Sequence, residues 1–224
     1  MSNFLTSSIG KKLLMSITGL FLIVFLVVHL SINLLLLIRD DGDLFNQAAH
    51  FMATNPIIRV VEPLLAVGFI VHIIYATFIT LHNRKARPVA YLKTDQSNNC
   101  TWQSRNMYIL GGLVLIFLVL HIVNFYWEIK IAKTLDPVNV SGVEMDDTYK
   151  LVTSLFQQWW YAVIYVLGAI FLGLHLSHGF WSAFQTLGWS GHLWRKRLTV
   201  VSYIYAIIIG FGFAIIPIVL MFQS

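Results

Sequence analysis

Five runs of apolar residues, each long enough to cross a bilayer, set the class of this chain before any motif is considered. They lie at about Leu14–Ile38, Ile57–Leu81, Met107–Trp127, Trp159–Ala183 and Val200–Met221. A hydrocarbon core of about 30 Å requires about 20 helical residues to span it. The expectation is an all-α integral membrane protein, a bundle of five transmembrane helices forming one domain over residues 1–224. Charge supports this: 11% of the 224 residues are charged, against about 25% in a soluble domain. The first run has no small-residue cleavage site and is expected to stay as the first helix rather than leave as a signal peptide.

The charges fall into alternating clusters. Lys11 and Lys12 precede the first run. Arg84, Lys85, Arg87, Lys93 and Arg105 lie between the second and third, and Arg195, Lys196 and Arg197 between the fourth and fifth. The same segments hold one acid, Asp95. Asp40, Asp41, Asp43, Glu62, Glu128, Asp136, Glu144, Asp146 and Asp147 lie in or beside the opposite loops. Basic loops stay cytoplasmic, so the N-terminus is expected inside and the C-terminus outside. The net charge of +5 is thereby absorbed by topology and does not point to nucleic acid. Tryptophans and tyrosines crowd the ends of the runs, as in an interfacial belt. The long acidic third loop, with Asp136-Pro137, is expected to carry a short amphipathic helix. No repeat among the helices stands out. The single cysteine, Cys100, allows no internal disulfide and no thiolate metal cluster.

Four of the eight histidines fall well inside the runs: His29, His72, His121 and His175. Ionisable groups at that depth are costly and have a partner or a task. Each lies three or four residues past the midpoint of its run, about 5 Å along the axis. Successive helices run in opposite directions. His29 and His121 are therefore expected at one level in the outer half, and His72 with His175 at another in the inner half, about 10 Å apart. A porphyrin iron takes one axial ligand on each side of the ring, and two imidazoles at matched depth supply them. Bis-imidazole coordination leaves no open position, so such a group carries electrons and does not bind oxygen. Zinc is disfavoured, since no cysteine or carboxylate lies at ligand spacing. The competing reading is a set of hydrogen-bonding core histidines or a proton relay in a haem-free channel or transporter. His178 shares a face with His175 and is a rival ligand. His50 and His192 read as solvated, and His82 stands where a propionate could meet it. Gly19, Gly68, Gly111, Gly112, Gly168, Gly173 and Gly179 lie in or at the ends of runs and allow close approach of helices or a flat macrocycle.

One histidine on each of the first four of five helices resembles the di-haem cytochrome b subunit of succinate dehydrogenases and fumarate reductases. The resemblance covers essentially the whole chain. It extends to Lys11-Lys12 followed by Ser16-Ile17-Thr18-Gly19, with Ser16 thirteen residues before His29. It also includes His175-Leu176-Ser177-His178-Gly179-Phe180-Trp181, which matches H-x-x-x-G-x-[WY] with the first histidine as ligand. The resemblance implies two b haems in a bacterial cytoplasmic membrane. His72 and His175 would bind the haem nearer the cytoplasm, and His29 and His121 the distal haem. Ser16 matches a position near the inner propionates, and Lys12 is a weaker candidate for them. Some relatives have a Glu two residues before the fourth ligand, where this chain has Gly173. A proton route of that kind is not expected here.

The resemblance further implies a flavoprotein and an iron–sulfur subunit docked on the basic face, handling succinate and fumarate. This chain would carry electrons between them and a membrane quinone, of the menaquinone type in two-haem members. Glu62, ten residues and about 15 Å outward of His72, is a candidate proton acceptor at the quinone site. Its plain alternative is a helix N-terminal acid beside Pro63. Arg59 could pair with it or with a distal propionate. Another quinone-linked cytochrome b, of a hydrogenase or formate dehydrogenase, would use paired histidines in the same way.

Overall fold

In the computed structural model, residues 7–85, 101–189 and 191–223 are described. Cys100, Arg87, Lys93 and Asp95 lie outside them. The described residues are about 84% helical and include five helices long and apolar enough to cross a membrane, as expected from hydropathy. The order is α1 (Ser8–Asn33, continued by a tight turn over Leu34–Leu37), α2 (Asp43–Thr54), α3 (Pro56–Lys85) and α4 (Trp102–Arg105). Next comes α5 (Met107–His121), which widens into a π-helix over Ile122–Ala132. A hairpin of β1 (Pro137–Val140) and β2 (Val143–Asp146) follows, then α6 (Thr148–Phe156), α7 (Trp159–Thr186) and α8 (His192–Phe222). The spanning helices are α1, α3, α5, α7 and α8.

Most spans are longer than their apolar runs. α1 starts before Lys11 and α8 before Arg195, and α3 runs on through Arg84 and Lys85. The backbone prefers to stay helical into the head-group layer, where long basic side chains reach polar surroundings while their stems stay apolar. Capping sets the ends. The Ser7 hydroxyl accepts from the Gly10 amide at 3.0 Å, and Asn55 Oδ1 accepts from the Ile57 amide at 2.9 Å, just ahead of Pro56.

α7 and α8 lie together along their length, and α1 packs on both. α3 lies on α1, and α5 on α7. α3 and α5 meet only lightly and turn most of their apolar surface outward, only 6% of the most apolar stretch of each being buried. The α7–α8 contact is close because Gly173 and Gly210 face each other. A Cβ on Gly173 would stand 3.3 Å from the Ala206 carbonyl, and one on Gly210 would stand 3.4 Å from that of Ala169. Gly173 is thus where the fifth helix seats itself, which accounts for the absence of a larger side chain there. Two hydrogen bonds reinforce α8: Ser202 Oγ donates to the Ser177 carbonyl at 2.9 Å, and Tyr205 Oη to the Ile23 carbonyl of α1 at 2.7 Å.

The third loop carries the expected short helix, α6. The hairpin ahead of it, and α2 in the first loop, are additions that hydropathy did not indicate. Together they cap one end of the bundle. Phe45 of α2 and Val152 and Phe156 of α6 join the same buried cluster as Leu30, Leu36, Tyr165 and Leu220. Asn46, 2% exposed, organises the cap. Its Nδ2 donates to Asp147 at 3.2 Å, and its Oδ1 accepts from the Tyr149 amide at 2.8 Å. Asp147 in turn caps α6 by accepting from the Lys150 amide at 3.0 Å. Gly42 enters α2 at φ +88°, with the Tyr149 ring against it where a Cβ would stand, so both backbone and space require glycine. Lys150 reaches back to Asp136 at 2.9 Å and holds its carboxyl below the usual carboxylate range through the hydrogen bond and its charge.

Two outcomes follow. Gly210→Leu should cost about 1–3 kcal/mol by overpacking the α7–α8 crossing. Gly112→Leu, at an exposed position where nothing lies within 4 Å of a Cβ, should be neutral or slightly stabilising; thermal unfolding in detergent compares the two. Asn46→Ala removes both hydrogen bonds to partly buried partners, should cost about 1–3 kcal/mol and should open the segment from the hairpin to α6 to limited proteolysis.

Candidate functional site: two facing histidine pairs

α1 and α5 run toward the capped end, and α3 and α7 run away from it. His29 lies eight residues before Leu37 and His121 eleven before Ala132, whereas His72 and His175 each lie sixteen residues after the starts of their spans. The four histidines therefore sort into two levels, and at each level two rings face each other across the bundle. His29 and His121 have ring centroids 5.7 Å apart with planes at 88°. His72 and His175 are 6.5 Å apart at 73°. Two imidazoles sharing one metal at about 2 Å each have centroids about 6 Å apart, so each pair could hold one metal-centred group between its rings.

The neighbours of the rings fit ligation. The Thr18 hydroxyl donates to the Leu14 carbonyl at 2.8 Å and stands 3.5 Å from His72 Nδ1. The Thr18 oxygen is thus the polar neighbour of the Nδ1 edge of His72, and a proton held on that edge would leave Nε2 as the ligand atom. Asn33 meets the Nδ1 edge of His29 at 3.4 Å while donating to its carbonyl at 2.8 Å. Nδ1 of His121, Nδ1 of His175 and Nδ1 of His178 are sealed without a hydrogen-bond partner, as is Ser16 Oγ. Buried polar atoms left so are rare and ask for a partner. Among the described residues no group of three or more His, Cys, Asp or Glu comes together. A metal held by protein ligands alone therefore has no site there. A porphyrin iron brings four ligands of its own and needs two, which is what each pair offers.

The structure also exposes a repeat that the linear sequence hid, correcting the expectation of none. Gly19 with Phe25-Leu26-Val27-Val28-His29 in α1 corresponds to Gly111 with Phe117-Leu118-Val119-Leu120-His121 in α5. The contacts repeat as well. A Cβ on Gly19 would stand 3.4 Å from His72 Cε1, and one on Gly111 would stand 3.4 Å from His175 Cε1. Phe25 stacks on His29 at 5.2 Å, and Phe117 lies 6.0 Å from His121. The surroundings of the histidines thus repeat between the hairpins α1–α3 and α5–α7, and each ring pair takes one histidine from each. Gly19 and Gly111 lie ten residues from the histidines of their own helices, so the two levels are nearer about 15 Å apart than about 10 Å.

The other candidates sort clearly. His175, and not His178, faces His72; the His178 ring lies against Trp181 at 5.3 Å. Ser16 is 2% exposed, one turn from the inner pair's neighbour Gly19, whereas Lys12 is on the exposed side of α1. His82 and His192 are exposed, and His50 is half-buried on α2. Arg59 does not reach Glu62, since its Nε donates to the Ala53 carbonyl at 3.4 Å. Glu62 is held instead by Lys130 of the π-helix, at 3.0 Å. Thr18, Asn33 and Lys130 had no signal as single residues. The repeated Gly–Phe–His spacing was the one pattern available for the rest. Comparisons with models of known protein families, with curated proteins and with solved structures gave no match.

Proposed function

We propose that this chain is the di-haem cytochrome b membrane subunit of a succinate dehydrogenase or fumarate reductase complex in a bacterial cytoplasmic membrane. The observation that carries the reading is the pairing of four histidines, two by two, at two depths. When bound, a haem with two axial imidazoles exchanges single electrons and has no position open to oxygen. His72 and His175 would hold the group nearer the N-terminal end of the bundle, and His29 and His121 the group nearer the capped end. Thr18, beside Nδ1 of His72, would hold the tautomer that leaves Nε2 as ligand. Gly19 and Gly111 let the inner rings stand close to their neighbouring helices. Ser16 offers a sealed hydroxyl at the inner end, where an anionic propionate would accept from it.

Orientation follows from charge. The end bearing Lys11, Lys12, Arg84, Lys85, Arg105 and Arg195 to Arg197 faces the cytoplasm and receives the iron–sulfur and flavoprotein subunits, which handle the dicarboxylates. The acidic cap lies outside. Electrons pass through this chain to or from a membrane quinone, of the menaquinone class.

A pyridine haemochrome assay on the purified chain should give two haems, with succinate–quinone activity present in the copurifying complex. His29→Ala and His121→Ala should remove the same haem, and His72→Ala and His175→Ala the other, as read by redox titration of the reduced b band. Loss of different haems within one pair refutes the pairing, and a haem-free protein refutes the reading altogether. Gly111→Leu should displace His175 and lose the inner haem while keeping the outer, whereas Gly111→Ala, which makes only an ordinary 3.4 Å contact, should keep both. Gly19→Leu and Gly19→Ala should differ in the same way through His72.

A further inference from the structure

We propose that Thr18 is a positioning residue that sets the reduction potential of the inner haem: its hydroxyl oxygen accepts the Nδ1 hydrogen of His72 and makes that imidazole the stronger ligand of its pair. This role rests on the reading of the chain as a di-haem cytochrome b and adds to it an inequality between two paired histidines.

The inner histidines stand in matched surroundings. A Cβ on Gly19 would lie 3.4 Å from Cε1 and 3.7 Å from Nδ1 of His72, and a Cβ on Gly111 would lie at the same two distances from Cε1 and Nδ1 of His175. The same edge of each ring therefore faces a glycine on another helix. The residue before each glycine breaks the match. In α1 it is Thr18 and in α5 it is Leu110. The Thr18 oxygen lies 3.5 Å from Nδ1 of His72. Leu110 is 2% exposed and carries no polar atom on its side chain. Nδ1 of His175 is sealed without a hydrogen-bond partner.

The remaining bonds of Thr18 fix the direction of its contact. A threonine hydroxyl has one hydrogen and two lone pairs. The hydrogen is committed one turn back, to the Leu14 carbonyl at 2.8 Å and the Met15 carbonyl at 3.1 Å. Toward His72 the oxygen has only lone pairs to offer, so it meets Nδ1 as an acceptor. An acceptor on the Nδ1 hydrogen raises the basicity of the imidazole at Nε2. A more basic axial ligand favours the oxidised iron over the reduced one and lowers the potential.

The outer pair differs. The Asn33 amide donates through Nδ2 to the His29 carbonyl at 2.8 Å, and this same nitrogen stands 3.4 Å from His29 Nδ1. An amide nitrogen donates and does not accept. The position in α5 that matches Asn33 is Phe125, whose ring lies 5.2 Å from that of His121, and His121 Nδ1 has no partner. Among the described residues a side-chain acceptor therefore faces Nδ1 of His72 and of no other histidine of the two pairs.

The test is a redox titration of the full chain in its complex, following the reduced b bands, with the band lost in His72→Ala marking the inner haem. Thr18→Val keeps the branched shape and removes the oxygen. At a fixed potential it should raise the reduced-to-oxidised ratio of the inner haem by about threefold or more, an upward shift of about 30 mV or more, with the outer haem unmoved. Thr18→Ser keeps the oxygen and should stay close to the unaltered protein. Leu110→Thr gives His175 the acceptor it lacks and should lower the same ratio by a similar factor. A change below about 1.5-fold in Thr18→Val overturns the role, as does a shift of the outer haem in place of the inner, or Thr18→Ser moving as far as Thr18→Val. Should Thr18→Val lose the inner haem, Leu110→Thr carries the test, and the absence of a downward shift there overturns the role. With two haems in the unaltered protein, each of these results refutes the role of Thr18 alone. Unaltered protein without haem refutes the proposed function, and this role falls with it.

Discussion

An imidazole in the apolar interior of a membrane has to be met by another group, and that need organises this protein. Each histidine faces one from a helix that is not its neighbour in sequence: α1 meets α5, and α3 meets α7. Two such pairings tie four helices together in an interlocked way. Local helix contacts alone would leave the order of the bundle open, since lipid is as apolar as the helices themselves. The glycines then act where the rings need room, and Thr18 and Asn33 act where the far edges of the rings need polar neighbours. α8 brings no ring of its own to a pair. It supports α7 through the Gly173–Gly210 approach and α1 through Tyr205, with Phe213 lying 5.6 Å from His29.

Much of this was legible in the chain. Apolar run length gave the five helices, because the thickness of a bilayer leaves little choice. Counting residues from the run midpoints gave the two levels and both pairings, because rise per residue is fixed in a helix. Run midpoints place the levels closer together than the glycine contacts do, because they carry nothing of side-chain direction. α2 and the hairpin were missed because a cap is specified by particular polar partners such as Asn46 and Asp147, not by periodicity. Arg59 was nearer Glu62 in sequence than Lys130, but a side chain on the same helix can turn to its own backbone, and the ion pair formed across helices instead. The repeat went unseen because only three residue types recur at fixed spacing, on a background of interchangeable aliphatic side chains.

The two ends of the molecule are built differently. At the capped end, α2 and α6 bring Phe45, Val152 and Phe156 into the same buried cluster that lines that end of the bundle, so the cap belongs to the hydrophobic core and is not merely a surface loop. The opposite end presents basic side chains with aromatic rings among them, including Arg195 over Trp181 at 5.5 Å and Arg84 over Tyr108 at 5.7 Å. Cation–π contacts of this kind hold long side chains at a head-group boundary.

A duplicated hairpin has one property that the fifth helix undoes. Two equivalent halves present two equivalent sides to the lipid, and a reactant dissolved in the bilayer would find the same doorway on both. Because α8 packs on α7 and α1, and no described helix packs in the same way on α3 and α5, the two sides are not alike. The fifth helix therefore makes a bundle of two like halves one-sided, with α3 and α5 left as its outward-facing flank.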